Sequence, residues 1–198
     1  MGDTMPSQAP AGGPDEFMRS PVTVRAQEII GEIRRVVSAV DPAAVAALLG
    51  AVGQARRVFF DAQGRSGLVA RAWTMRWMHL GVTSYMTGET VTPAIGESDL
   101  LVCLSARGRT GATIAHAATA HAAGARMAAL TTTPDSRLAA AADLLVLVPA
   151  GNEVASVQHA GSLFEQACLI LGDAMCGVFQ QQRVIPDTEL DARHANLL

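Results

Sequence analysis

The stretches Arg57–Gly67 (RVFFDAQGRSG) and Leu100–Gly111 (LLVCLSARGRTG) decide the fold. Each begins as a short run of apolar residues, passes through a glycine-containing turn and enters a segment with helical spacing of its apolar positions. Three more apolar runs follow the same plan: Val82–Met86, Met127–Thr131 and Leu144–Val148. None alternates between apolar and polar, which marks strands covered on both faces. The intervening segments predict helices over about 68–80, from the second turn to about 123, over about 162–181 and over about 187–194. Upstream, apolar residues from Val22 to Val40 recur at helical spacing. Asp41-Pro42 then opens a second helix, with the carboxylate as cap and proline at the first position. Strands separated by helices give βαβ units. The expected fold is therefore α/β, a three-layer doubly wound sandwich around a five-stranded parallel sheet. Residues 1–20, rich in Pro, Gly and Ala, read as a disordered leader, and 21–198 as one domain.

Composition narrows the function. Hydrophobic residues make up 49% of the 198, and the formal net charge is −3. That balance argues against a uniformly basic nucleic-acid surface and leaves room for a local basic pocket. Cys103, Cys168 and Cys176 show no C-x-x-C spacing and sit in apolar segments, as buried thiols do in a reducing compartment. The run Leu138–Ala150 is too short, and too interrupted by Asp143, to cross a membrane. With no signal pattern at the N-terminus, a cytoplasmic protein is expected.

Ligands on parallel sheets bind beyond the carboxyl ends of the strands. The two quoted turns lie there. Gly64 and Gly108 allow close backbone approach, and the helix starts that follow present free N–H groups and a positive dipole end. Ser66, Ser105 and Thr110 add hydroxyls, while Arg65, Arg107 and Arg109 add guanidinium groups suited to phosphate. Turns that merely join strand to helix would use some of the same residues, so the pair together carries the anion-binding reading. No Walker A motif occurs, and the first turn lacks the full G-x-G-x-x-G.

Glu165, in Ser162-Leu163-Phe164-Glu165, fits a capping box, and it also fits an acid or base facing the crevice. His79 lies on an apolar helix, where packing competes with proton transfer. His116 and His121, five residues apart, do not share a face as metal ligands would and read as surface or packing residues. His159 stands six residues before Glu165, and His194 lies in a polar tail. No H-E-x-x-H, G-x-S-x-G or carboxylate cluster is present, so a metal site is not expected.

Several pieces recur in one order: Gly64-Arg65-Ser66-Gly67 with Ala70 and Ala72, Met75-Arg76 followed by Met78-His79-Leu80-Gly81, Gly88-Glu89-Thr90 with Thr92-Pro93-Ala94-Ile95, and Asp99-Leu100-Leu101. Further on come Gln158, Gly161-Ser162-Leu163-Phe164-Glu165-Gln166, Asp173-Ala174 and Arg193-His194-Ala195-Asn196-Leu197. On these residues the chain, from about residue 24 onward, resembles the SIS (sugar isomerase) domain, and within it the 6-phospho-3-hexuloisomerases. The resemblance implies interconversion of D-arabino-hex-3-ulose 6-phosphate and fructose 6-phosphate, the second step of formaldehyde fixation by the ribulose monophosphate route. It implies a small-molecule sugar phosphate as the partner, no metal or organic cofactor, and a homodimer or homotetramer; with the composition above, neither nucleic acid nor membrane is expected as a partner. It implies Glu165 as base, with His79 or His194 moving protons on the oxygens, the latter from a neighbouring subunit. One departure stands out. The family usually has S-G-S-G-E-T after the third strand, where this chain has Ser105-Ala106-Arg107-Gly108-Arg109-Thr110. That change keeps two other readings open: a non-catalytic SIS module that senses a sugar phosphate, and an isomerase for a different phosphosugar. A nucleotide-binding α/β protein is a third, weaker reading.

Overall fold

The computed structural model describes residues 20–197, so all of the expected leader except Ser20 lies outside the described residues. Ser20 accepts from the Thr23 N–H and caps helix α1 (Pro21–Ala39). Asp41 accepts from the Ala43 N–H at 2.9 Å and caps α2 (Pro42–Gln54), with Pro42 at the first position as the sequence predicts. There follow β1 (Arg57–Asp61), α3 (Gly64–His79), β2 (Ser84–Met86), β3 (Asp99–Leu104), α4 (Gly111–Ala122) and β4 (Arg126–Thr131). The chain then forms α5 (Arg137–Ala140), β5 (Leu144–Leu147), α6 (Ser162–Arg183) and α7 (Asp187–Ala192).

The five strands make one parallel sheet in the order β2-β1-β3-β4-β5. Strand register sorts the side chains cleanly. Phe60 pairs with Val102, and both point to the face packed by α1, α2, α3 and α6. Phe59 pairs with Leu101, and both point to the face packed by α4 and α5. All six residues of β3 are buried, which is why it reads as apolar without alternation. Two details differ from the expected alternation of strand and helix. The β2–β3 connection, residues 87–98, is a loop pinned by Arg57, whose guanidinium donates to Ala94 O and to the buried Asp99 carboxylate. And α3 begins at Gly64, not near residue 68, because Gly64 adopts φ +58° and turns the chain directly from β1 into helix. Arg65 and Ser66 thereby belong to a helix's first turn.

Helix α6 is long and apolar enough in composition to cross a membrane, a point the shorter run at 138–150 does not reveal. Half of that apolar window is buried against the rest of the fold, as in the core helix of a globular domain. Its contact with α3 is close: a Cβ on Gly172 would overlap the Trp73 indole. Trp77, one turn on, meets Phe179 edge-on at 5.2 Å. The three cysteines are free and buried, and burial pushes each thiol up, so the expectation of inert core thiols holds.

After α7 the chain folds back on the far end of α3. Arg193 donates to His79 O at 3.1 Å, and the His194 ring stacks on His79 with centroids 4.7 Å apart. His79 is 2% exposed, and its Nδ1 finds no partner among the described residues. Burial, with smaller contributions from His194 and Arg76, holds its pKa below the ordinary histidine value. His79 therefore stays neutral in the fold under conditions where the unfolded chain takes up a proton.

Two predictions follow from this packing. Gly172→Ala should destabilise the chain by about 1–3 kcal/mol through the forced displacement of Trp73, measured by urea unfolding; an unchanged midpoint would contradict the α3–α6 contact. Because the folded pKa of His79 is depressed, its share of stability is present above the unfolded value and lost as pH falls. Between about pH 8 and pH 5, the thermal midpoint of the wild type should fall more steeply than that of His79→Leu. Parallel curves would exclude this role.

Candidate functional site

The carboxyl ends of β1, β3 and β4, with the start of α6, enclose a crevice of about 540 Å³. Gln63 and Ser66 line it from the first turn, and Ser105, Arg107, Arg109 and Thr110 from the second. The second turn is rigidly made. Gly108 adopts φ +59°, and a Cβ there would overlap the Ser136 hydroxyl, so only glycine fits. Gly108 N donates to Ser105 O at 3.0 Å and closes the turn. Ala106 O accepts from both the N–H and the hydroxyl of Thr132 and from the Thr131 hydroxyl, which ties the turn to the end of β4. Ser105 and Thr110 share a hydroxyl contact of 3.0 Å across the mouth, so Thr110 does not cap α4 with its side chain. Backbone N–H groups at Arg107 and Arg109, and both their guanidinium groups, have no partner among the described residues. Free N–H groups, the start of a 12-residue helix and two unpaired cations converge here, which suits a phosphate-sized anion.

Glu165 lies opposite. The capping-box reading does not hold: Gly161 is the cap residue, Ser162 is the first residue of α6, and Glu165 falls one position too late to reach back. Ser162 instead donates its hydroxyl to His159 O. The Glu165 carboxylate lines the crevice and accepts from Arg65 Nε at 2.5 Å. Arg65 thus does not face the crevice alone; it bridges the two first helical turns, α3 to α6, and its remaining N–H groups have no partner among the described residues.

Of the residues picked from sequence, the chain gathers Ser66, Ser105, Arg107, Arg109, Thr110 and Glu165 in the lining of this crevice, with Gly108 inside the second turn; Gly64 and Arg65 are not in the lining, and Arg65 reaches it only through Glu165. It does not bring His79 or His194 there. His79 ends the same 16-residue helix that Gly64 begins, roughly 22 Å away along its axis. The two histidines meet each other but not Glu165. His159 stands on the exposed loop before α6.

Other residues escaped the sequence reading. Thr132, Asn152 and Ser156 also line the crevice. His116, read as surface or packing, lies with Nδ1 2.6 Å from Oδ1 of the fully buried Asp61, which also accepts from the Thr87 hydroxyl. The one visible signal was an aspartate at the end of an otherwise apolar strand. Among the described residues no group of His, Cys, Asp or Glu is placed to hold a metal ion.

The SIS domain model matches residues 52–170. The chain is 40% identical to the 3-hexulose-6-phosphate isomerase of Mycobacterium gastri over 198 residues, covering 98% of this chain and all of that one. It is 31% identical to the enzyme of the same name from Bacillus subtilis, covering 86% and 95% of the two chains. Among solved structures, a Methanococcus jannaschii protein for which a 3-hexulose-6-phosphate isomerase function was inferred superposes with a TM-score of 0.79 at 28% identity, covering 87% and 98%. The Vibrio vulnificus NanR protein, solved with ManNAc-6P, shares the fold at a TM-score of 0.73 and 19% identity, covering 89% and 68%. By these matches and by its five-stranded parallel sheet, the chain belongs to the SIS domain family and has the fold of its sugar-phosphate isomerases.

Proposed function

We propose that the chain interconverts D-arabino-hex-3-ulose 6-phosphate and fructose 6-phosphate, the isomerisation of the ribulose monophosphate route. One observation carries the reading: a carboxylate, Glu165, faces the same crevice as an anion-binding turn bearing two unpaired arginines. Likeness to the Mycobacterium gastri enzyme over the whole chain supports the choice of substrate. In this scheme the phosphate sits on the Ser105–Thr110 turn, held by hydroxyls, free N–H groups, Arg107 and Arg109. Glu165 takes the proton from C2 of the 3-hexulose. The electron pair forms the C2=C3 bond while the C3 carbonyl oxygen gains a proton, giving the 2,3-enediol. The O2 proton then leaves, the C2 carbonyl forms, and Glu165 returns its proton to C3. No electron acceptor is needed, since the oxidation at C2 balances the reduction at C3.

Protons on O2 and O3 need a second group. Within one chain α3 holds both His79 and His194 away from Glu165, and His79 is buried, so the exposed His194 of another copy is the candidate for this role. The working form is then a homodimer or homotetramer in the cytoplasm. A second reading, a phosphosugar sensor without turnover, is favoured by Arg107 and Arg109 alone, which replace the serine and glutamate usual in the family.

The test is direct. Purified protein should form fructose 6-phosphate from the 3-hexulose phosphate, and Glu165→Gln should lower kcat by about 10²–10⁴-fold with little change in affinity. Saturable binding of sugar phosphate without product would instead establish the sensor. If the histidine comes from a partner, mixing inactive Glu165→Gln with inactive His194→Ala should restore roughly a quarter of wild-type activity, through the one intact site of each mixed pair. A mixture as inactive as its components would remove His194 from the site.

A further inference from the structure

Outside the crevice, on α1, Glu32 is buried at 3% exposure, yet it makes no salt bridge among the described residues. Its Oε1 accepts from the Val157 N–H at 2.7 Å, and its Oε2 accepts from the Ser156 hydroxyl at 2.7 Å and from the Gln158 amide at 3.3 Å. Burial alone raises a carboxyl's pKa, but here the donors from Val157, Ser156 and Gln158 outweigh it and hold Glu32 below its ordinary value. Gln158 in turn exchanges a reciprocal pair of amide bonds with Gln166, the neighbour of Glu165 on α6. Between these anchors Ala160 is held at φ +53°, a conformation a non-glycine residue rarely keeps without such support.

Hydrogen-bond accounting at Ser156 gives this network a consequence. A hydroxyl has one donor and two acceptor sites. Ser156 Oγ donates its proton to Glu32 and accepts from the Gln158 N–H at 3.0 Å. Its one remaining capacity is as an acceptor, and Ser156 lines the crevice. Asn152, also in the lining, uses its amide N–H groups on Thr132 at 2.9 and 3.4 Å, so what it has left to offer is Oδ1. The crevice is therefore polarised. The wall from 105 to 110 offers donors and cations, and the wall from 152 to 156 offers acceptors. A phosphate dianion has no proton for the second wall at neutral pH, whereas sugar hydroxyls do.

We propose that Glu32 is a positioning residue that fixes Ser156 as an acceptor, and that Ser156 with Asn152 forms the subsite for the sugar's hydroxyl groups, so that the ligand lies with its phosphate on the Ser105–Thr110 turn and its carbon chain along residues 152–156. This rests on the phosphosugar reading above, while assigning residues and an orientation that the reading does not contain. Glu32→Gln keeps the side chain's size but brings a donor into the carboxylate's place, which forces Ser156 to reverse the sense of its bond. Ser156→Ala removes the acceptor and leaves Glu32 untouched.

The experiment is calorimetric titration of wild type, Glu32→Gln and Ser156→Ala with two probes: inorganic phosphate, and a hexitol 6-phosphate, which has no carbonyl and cannot turn over. Both variants should bind inorganic phosphate within about twofold of wild type and the hexitol phosphate about tenfold more weakly, the loss expected for one hydrogen bond. Equal weakening of both probes would mean that Glu32 merely holds the loop together and would overturn the proposal, as would wild-type affinity for both. A wild-type protein that binds phosphate but gains nothing from the hexitol chain would overturn the phosphosugar reading itself, and the subsite with it.

Discussion

Trp73 against Gly172 is the contact on which the site depends. With no side chain at Gly172, α6 lies close along α3, and the indole fills the gap. Arg65 stands about two turns before Trp73, and Glu165 about two turns before Gly172. A parallel pair of helices joined at that point must bring their first turns side by side, with Arg65 and Glu165 meeting where the helices begin. The parallel sheet below supplies the rest. Its carboxyl ends all face the same way, so the turns after β1, β3 and β4 can share one opening with the start of α6.

Much of this was legible in the sequence, because strands buried on both faces leave an unmistakable run of apolar residues. All five appeared where the structure has them, to within a residue or two. The crevice-lining residues of the Ser105–Thr110 turn were legible for a related reason: they follow directly on a buried strand, at the sheet end where parallel folds open their clefts. What stayed hidden depended on long-range contacts. Ser156 and Glu32 are separated by most of the chain, and His116 meets Asp61 across 55 positions, so no local pattern announces either pair. The misreading of Glu165 as a possible cap was local and smaller. Ser-x-x-Glu has the spacing of a capping box, but α6 begins one residue early, at Ser162 after Gly161, and that shift frees the carboxylate to face the crevice.

His79 shows how a residue can match a family pattern and still stand apart from the site within its own chain. It closes α3, whose opening turn lines the crevice through Ser66, and it is stacked on His194 and sealed from solvent. The buried His79 imidazole is held there by packing under the exposed His194 ring, since His79 Nδ1 lacks any hydrogen-bond partner among the described residues. The same helix thus begins at the crevice and ends with a buried imidazole remote from it.

Arg107 and Arg109 stand exposed at the mouth of the crevice with no carboxylate partner among the described residues, on a chain whose formal net charge is −3. Their field opposes that of the molecule as a whole and is concentrated at one opening. Any small anion in the surrounding solution is drawn to the same place, so the ligand's affinity is a contest with the ionic atmosphere as well as a matter of fit. Rising salt screens the arginines. On the proposed phosphosugar reading, the concentration of free phosphate around the protein acts, through these two side chains, as a setting on how much of the crevice is open to anything larger.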